Sequence, residues 1–443
     1  MNHSTSRWLP AVVMALAIVI APAHAMDGPR PYDAEITRRV LDVEKDVIAW
    51  RRDFHEHPEL SNRETRTGAV LAEKLRAMGL EVHDHIARTG VVAVLRGGKP
   101  GPVVALRSDM DALPVTVATG LPFASQVRAP YRGQEVGVMH ACGHDAHMAM
   151  LLGVAQVLTQ MRAQVPGTVK FIFQPAEEGA PSGEAGGASL MIQEGVLRDP
   201  KPEVIFGMHV VNWSAGSITY HPEGAMAASD VIHITLLGRQ THGGRPWEGI
   251  DPVVASAQVI LGLQTIVSRQ SDITIAPAVL TIARISGGIR NNVIPDSVQM
   301  EGTLRTFDPQ MRDTIMAHIR RTAQDIAAAS GASATVWFDG SNPVVWNDAA
   351  LTARMEPTLR RVAGTAHVAV TPPKTWAEDF AFYAKQIPGL FVDLGVNAPG
   401  DVQEKTAPNH SPHFMVDEAQ LKVGMRTMAT LAMDYMTSAG HAK

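Results

Sequence analysis

The chain is short of thiols, of runs of like charge and of long apolar segments, and each shortage narrows its class. Among 443 residues there is one cysteine, Cys142. A single thiol closes no internal disulfide, so the fold is not a disulfide scaffold. No Lys/Arg run exceeds a pair such as Arg51-Arg52, and the formal net charge is −5. That distribution offers no phosphate-tracking surface, and no nucleic acid is expected as a partner. Beyond the N-terminus no segment reaches ~18 uninterrupted apolar residues, so no stable membrane insertion is expected of the mature chain. Low-complexity stretches and internal repeats are also missing, which argues against a disordered chain or a repeat array.

Hydrophobic residues make up 45% of the chain and charged residues 19%. That is enough apolar content to fill a globular interior, and the length suits two domains. At the N-terminus Arg7 precedes an apolar run over residues 9–20, followed by Ala21-Pro22-Ala23-His24-Ala25. The run is short for a membrane span, and Ala23 and Ala25 supply the small residues of a signal-peptide cleavage site. Residues 1–25 are therefore expected to be removed, and the protein to be exported to a periplasm or secreted. An odd thiol in such a compartment is a liability unless it is buried or bound.

Periodicity sets the architecture. Residues 38–78 repeat apolar positions at three- and four-residue spacing and read as helical, ending at Gly79. Short β-branched runs at 91–95, 103–106, 169–173 and 204–206, each bounded by Gly, Pro or polar residues, read as buried strands. A helical stretch over 146–161 lies between the second and third. This alternation predicts an α/β domain with a mostly parallel sheet. After about residue 220 the pattern changes. Strands at 231–236, 279–285, 298–304 and 334–338 alternate with helices at 252–268 and 309–329. The order β-α-β-β-α-β predicts a smaller α+β, ferredoxin-like insertion. The expected organisation is a signal peptide over 1–25, a larger α/β domain split between 26–221 and 339–443, and a smaller domain inserted over 222–338.

Metal-type ligands cluster just beyond the predicted strands. Asp109 and Asp111 follow 103–106, Glu177 and Glu178 follow 169–173, and His209 follows 204–206. Cys142 and His144 occupy a turn before a helix, and Gly143 permits that turn to be tight. Ligands of open α/β sheets gather beyond the carboxyl ends of strands, so these side chains can converge. Thiolate, imidazole and carboxylate suit zinc or a related divalent ion. Alone, Cys142 would read as a small buried hydrophobe. Flanked by His140, His144, Asp145 and His147 it reads as a ligand, and coordination would protect the thiol. Glu177 and Glu178 repel each other unless a cation is near. One of them can bind metal while the other serves a nearby water as general base. Near the C-terminus His410 and His413 are both ligand candidates, and spacing alone does not choose between them. Trp247, near His242, and Trp376, near Glu378, are candidates either for an aromatic pocket or for structural packing.

Taken together, these stretches resemble the M20 metallopeptidase family, and within it the amidohydrolases of N-acyl amino acids, such as hippurate hydrolases and plant auxin-conjugate hydrolases. The resemblance runs through Ser108-Asp109-Met110-Asp111-Ala112-Leu113-Pro114, His140-Ala141-Cys142-Gly143-His144-Asp145 and Gln174-Pro175-Ala176-Glu177-Glu178-Gly179. It continues in Gly207-Met208-His209, Asn292-Val293-Ile294-Pro295-Asp296, Glu378-Asp379-Phe380 and His410-Ser411-Pro412. It implies that the larger domain is catalytic and that the inserted one is a lid or dimerisation domain. It also implies a centre of two divalent ions (zinc, manganese, cobalt or nickel) bound by Cys142, His144, Glu178, His209 and His410. Glu177 would be the general base and acid. His242 would stabilise the oxyanion from a partner subunit of a homodimer or larger homo-oligomer, and Asn292 and Arg305 would bind the substrate carboxylate. The implied substrate is a small N-acyl amino acid or short peptide. Two stretches depart from the family pattern, the longer segment 181–187 and the motif Thr241-His242-Gly243-Gly244. Two other classes compete: a thiol hydrolase with Cys142 as nucleophile and His144 or His140 as base, and a metal-dependent binding protein without turnover. The first has no use for the glutamate pair, and the second leaves a spare carboxylate unexplained.

Overall fold

The computed structural model describes residues 28–439, so the expected signal peptide over 1–25 lies outside the described residues. In chain order the first sheet is built from β1 (Glu81–Ile86), β2 (Gly90–Arg96), β3 (Lys99–Asp109), β4 (Pro166–Gln174), β5 (Val204–Val211) and β6 (Ile218–Tyr220). A second sheet follows, with β7 (Ala228–Leu237), β8 (Ala278–Ser286), β9 (Ser297–Thr306) and β10 (Ser333–Asn342). The chain then returns to the first sheet with β11 (Val368–Val370) and β12 (Gly389–Gly395).

The eight strands of the first sheet run in the order β1-β2-β4-β3-β5-β12-β6-β11. The central four, β4-β3-β5-β12, are all mutually parallel. Both faces of these strands are covered, and the side chains alternate between two cores. Val91, Ala93, Leu95, Val104, Leu106, Phe171 and Phe173 point into one core, while Val92, Ala105 and Ile172 point into the other. A period of two with apolar residues at every position requires a sheet covered on both sides. The first core is closed by α1 (Asp33–Glu56), α3 (His144–Gln160) and the C-terminal helix Leu421–Ala439. Helix α3 is buried on nearly every side from His144 to Leu158, as a helix hydrophobic all round must be.

The second sheet has the order β8-β9-β7-β10, antiparallel throughout. Two helices, Pro252–Gln270 and Pro309–Ala329, cover one face through Ala255, Val259, Leu263, Ile315 and Ile319. Each begins as its sequence directs. Asp251 and Asp308 accept backbone N–H bonds as N-caps, and proline fills the next position. This is the ferredoxin-like unit that the β-α-β-β-α-β order predicted.

One expectation is corrected. Residues 38–78 form two helices, α1 and α2 (Thr65–Ala77), not one continuous helical stretch. Pro58 cannot continue α1, and Asn62 adopts a left-handed φ of 61°. The Glu59 carboxylate then accepts from the N–H groups of Arg66 and Thr67 at 3.1 and 2.8 Å and caps α2 from outside. The interruption carries Ser61 and Glu64 into the neighbourhood of the glutamate pair.

Candidate metal centre

The centre lies at the carboxyl ends of the parallel strands. Gly143 initiates α3 with φ 93°, and a Cβ there would lie 2.3 Å from Val210 Cγ2. Only glycine lets the Cys142–His144 turn press this close to β5. His209 was expected to follow its strand; it sits inside β5, which continues to Val211. Glu177 and Glu178 follow Ala176, whose φ of 54° turns the chain sharply after β4. Three consecutive amides of that turn are gripped by buried carboxylates. Ala176 N–H donates to Glu64 at 2.9 Å, and those of Glu177 and Glu178 donate to Asp111 at 3.0 Å each. Asn409 ties the C-terminal loop down by donating to the carbonyls of Cys142 and Val210, both at 3.0 Å. Beside it, His410 N–H donates to Ala141 O at 2.8 Å.

Sorting the polar atoms by prior commitment isolates the ligands. Asp109 is taken by Arg107 (2.9 Å) and His147 (2.6 Å), and His147 Nε2 accepts from Val210 N–H at 2.8 Å. Neither side chain keeps a free donor atom, although both lie beside His144. Asp111 is used by the glutamate amides and by Ser61 Oγ at 2.7 Å. Asp145 is paired with Arg51 and His55 at 2.8 Å each. Glu378 and Asp379 hold Arg107 at 2.9 and 2.8 Å. What remains uncommitted is Cys142, His144 Nε2, Glu177, Glu178, His209 Nε2, His410 Nε2 and both ring nitrogens of buried His140, which belongs to none of the candidate ligand groups.

His140 apart, these atoms converge. Cys142 Sγ lies 3.3 Å from His209 Nε2 and 3.2 Å from His410 Nε2. His410 Nε2 lies 3.2 Å from Glu178 Oε1, and His144 Nε2 lies 3.9 Å from Glu177 Oε2. Candidate donor atoms lie within 4.8 Å of one another in the groups Cys142–His144–His209, Cys142–Glu178–His410 and His144–Glu177–Glu178. Cys142, His144 and Glu178 each belong to two of the three groups, so the groups form one continuous cluster that would hold more than one ion. Second contacts fix the imidazoles. His144 Nδ1 donates to Asp111 O and His209 Nδ1 to Val210 O, both at 2.8 Å, so each Nε2 is the ring nitrogen turned to the cluster.

The electrostatics call for cations. Burial, then Glu178 and Glu177, push the Cys142 thiol well up. Burial, then Glu378 and Glu178, push the Glu177 carboxyl well above its usual range. Against the effect of burial, Asp109 and Asp111 raise His144 to about 10. Buried His144 Nε2 has no hydrogen-bond partner. A thiol, two carboxylates and three imidazoles in this field fit divalent ions of the zinc and manganese type. Burial lowers His140 to about 3, too weak a base to hold a proton taken from a thiol that burial pushes up, which argues against it as the base of a thiol enzyme.

The remaining sequence candidates lie elsewhere. His413 is exposed, and its Nδ1 is bonded to Ala118 O at 2.9 Å. His242 is exposed in a short strand paired with Val293, and Asn292 lies in the adjoining turn. Arg305 lies on β9 and donates to Thr303 Oγ1 at 2.5 Å. None of His242, Asn292 and Arg305 lines the cavity of about 790 Å3 that opens over the metal-type ligands. Trp247 is 76% exposed and away from that cavity, whereas Trp376 lines it. The sequence reading missed Arg107 and Glu64, and it named His147 and Asn409 without finding their roles. A signal existed for Arg107, a guanidinium within an otherwise apolar strand, but none identified its partners.

Residues 105–434 match the family described as Peptidase family M20/M25/M40. The N-acetylcysteine deacetylase of Bacillus subtilis (strain 168) is 41% identical over 390 residues, 87% of this chain and 96% of that protein. Thermostable carboxypeptidase 2 of Saccharolobus solfataricus is 37% identical over 399 residues, 89% of this chain and 97% of that protein. Among solved structures, the Bacillus subtilis YXEP protein, a dinuclear metal binding peptidase from the M20 family, matches with a TM-score of 0.74 and 37% identity. It covers 90% of this chain and 99% of its own. On a match that spans most of its length, and with the ligand set in place, this chain belongs to Peptidase family M20/M25/M40.

Proposed function

We propose that the chain is a metal-dependent hydrolase cleaving the amide bond of N-acyl amino acids, related conjugates or short peptides. The observation that carries this reading is the sorting above. Most of the neighbouring charged groups are committed to protein partners, and what is left is one ligand set, one spare carboxylate and His140, which joins none of the candidate ligand groups.

Cys142, His144, Glu178, His209 and His410 would hold two divalent ions. Such ions, when bound, supply Lewis acidity and lower the pKa of water. Glu177 is then the group that moves protons. It receives one from the attacking water and delivers it to the leaving amine. Its amide is fixed by Asp111, so the carboxylate is aimed without depending on substrate. The cavity walls hold the substrate and limit competing water.

His242, Asn292 and Arg305 complete the site in this reading, with the arginine making a charge-assisted contact to the substrate carboxylate. Because His242 is exposed and away from the cavity, a second copy of the chain is proposed to bring it in. The open edge of β8 and the exposed Val253, Val254, Leu261 and Ile285 of the same unit support a homodimer through that domain. Export through the N-terminal segment belongs to the same proposal. The test is a panel of N-acetyl and N-benzoyl amino acids and dipeptides, assayed with zinc, manganese or cobalt after chelator treatment. Metal-restored hydrolysis of one of these classes is expected. Full activity in the stripped protein would refute the reading.

A further inference from the structure

The cavity that opens over the metal-type ligands is also lined by Trp213, Met226 and Trp376. A buried ammonium holds the two indoles. Lys374 Nζ lies 4.8 Å from the Trp213 ring centre and 5.6 Å from that of Trp376. Lys374 is itself paired with buried Asp393 on β12, to which Thr219 of β6 also donates. The backbone is pinned as well. Lys374 N–H donates to Ala225 O at 3.0 Å, and Ala227 N–H approaches the carbonyls of Lys374 and Trp376 at 2.9 and 3.2 Å. Despite this anchoring, Trp376 remains 48% exposed. A rigidly held, open aromatic face in a cavity is a surface prepared for a ligand.

Charge decides which half of a substrate meets that face. The cavity is lined by Glu177, Glu178, Glu378 and Glu404, and among the described residues no arginine or lysine lines it. Arg107, which lies beneath, is already held by Asp109, Glu378 and Asp379. The one ammonium beside the indoles, Lys374, is paired with Asp393 and does not line the cavity, so a free carboxylate would find no unpaired cation among the lining residues there. The neutral acyl half of an N-acyl amino acid fits there, and the amino-acid half must face outward.

We propose that Trp376 and Trp213 form the acyl subsite and give the enzyme a preference for aromatic over short aliphatic acyl groups. The proposal rests on the reading of the chain as an N-acyl amino acid hydrolase. The test compares kcat/KM for N-benzoylglycine and N-acetylglycine in metal-loaded wild type, Trp376→Ala, Trp376→Phe and Trp213→Ala. N-benzoylphenylalanine reports on the other half of the substrate. The wild type is expected to favour benzoyl over acetyl. Trp376→Ala and Trp213→Ala are expected to cut that ratio about tenfold, the scale of one lost aromatic contact. Trp376→Phe keeps most of it, and the ratio between the two benzoyl substrates stays put. A ratio is independent of the fraction of folded enzyme, so partial misfolding does not mimic the result. Equal losses on both acyl groups would overturn the subsite. So would a change confined to the glycine/phenylalanine comparison, which would place the amino-acid side chain at this wall. Wild-type protein that cleaves none of the three, with every metal tried, would overturn the underlying hydrolase reading instead.

Discussion

Replacing Glu177 by glutamine should make the metal-free protein more stable and the loaded protein nearly inactive. The side chain is buried, and its neighbours Glu378 and Glu178 add negative potential, so the folded carboxyl sits well above its ordinary value of 4.5. A folded pKa above the unfolded one means that burying the group costs stability wherever the unfolded carboxyl is ionised. The cost is absent below pH 4.5 and grows as pH rises toward the folded value. At pH 7 it is bounded by the 2.5 units between 7 and the reference 4.5, or about 3.4 kcal/mol at 1.36 kcal/mol per unit. Glutamine has the same shape without the charge, so chelator-stripped Glu177→Gln should gain stability up to that bound at pH 7. Near pH 4.5 the gain should vanish. Turnover should fall by about 10²–10⁴, the usual contribution of a general base. Urea denaturation of the stripped proteins at the two pH values measures the first effect, and kcat with metal bound measures the second. A stripped variant no more stable than wild type at pH 7 would refute the electrostatic argument. Retention of more than about a tenth of wild-type kcat would refute the base assignment.

Three other outcomes follow from specific contacts. His410→Ala should lower metal content by elemental analysis while His413→Ala leaves it unchanged, because His410 meets Cys142 at 3.2 Å and His413 faces Ala118; equal losses would contradict this. Asp145→Asn should cost up to about 3 kcal/mol at neutral pH, since it leaves buried Arg51 only its 3.3 Å contact to Glu418. Burial opposes ionisation of Asp145, but Arg51 and His55 hold the carboxyl well below its ordinary 3.8. Its contribution is therefore complete above pH 3.8 and lost as pH falls further, which an acid-denaturation series reads directly. Lys170→Met should stabilise the protein at pH 7. Burial lowers the Lys170 ammonium from 10.5 to about 8, a penalty of about 3 kcal/mol, partly offset by its 2.8 Å bond to Val196 O. The penalty is complete below pH 8 and fades toward pH 10.5, so the advantage of methionine should shrink over that interval in thermal melts.

The elements with strong local signals were readable from sequence. Pro309–Ala329 matches its expected span because a capping aspartate, an N1 proline and a 3.6-residue apolar repeat agree. The break between α1 and α2 was not readable. Its cause is tertiary: the Glu59 carboxylate reaches forward to cap α2, and Glu64 is drawn inward by Ala176 N–H. Likewise the ligand types stood out at strand ends, but the residues that aim them did not. Arg107 finds Asp379 across 272 positions of sequence and Asn409 finds Cys142 across 267, and no local pattern announces such partners. His242, Asn292 and Arg305 were nominated by family resemblance alone, and the geometry of one chain does not gather them at the cavity.

The distance between Cys142 and His410 along the chain also sets a schedule. His410 is made 268 residues after Cys142. At about 5–20 residues per second, translation separates them by roughly 13–54 seconds. From residue 209 onward the nascent polypeptide carries a bare thiol, two glutamates and two histidines without the loop that brings in His410. Only when Asn409 clasps the Cys142 and Val210 carbonyls does the ligand set close. The full candidate ligand set therefore exists only once residue 410 is made, and a truncation between residues 210 and 409 yields a chain with Cys142, His144, Glu178 and His209 but without His410.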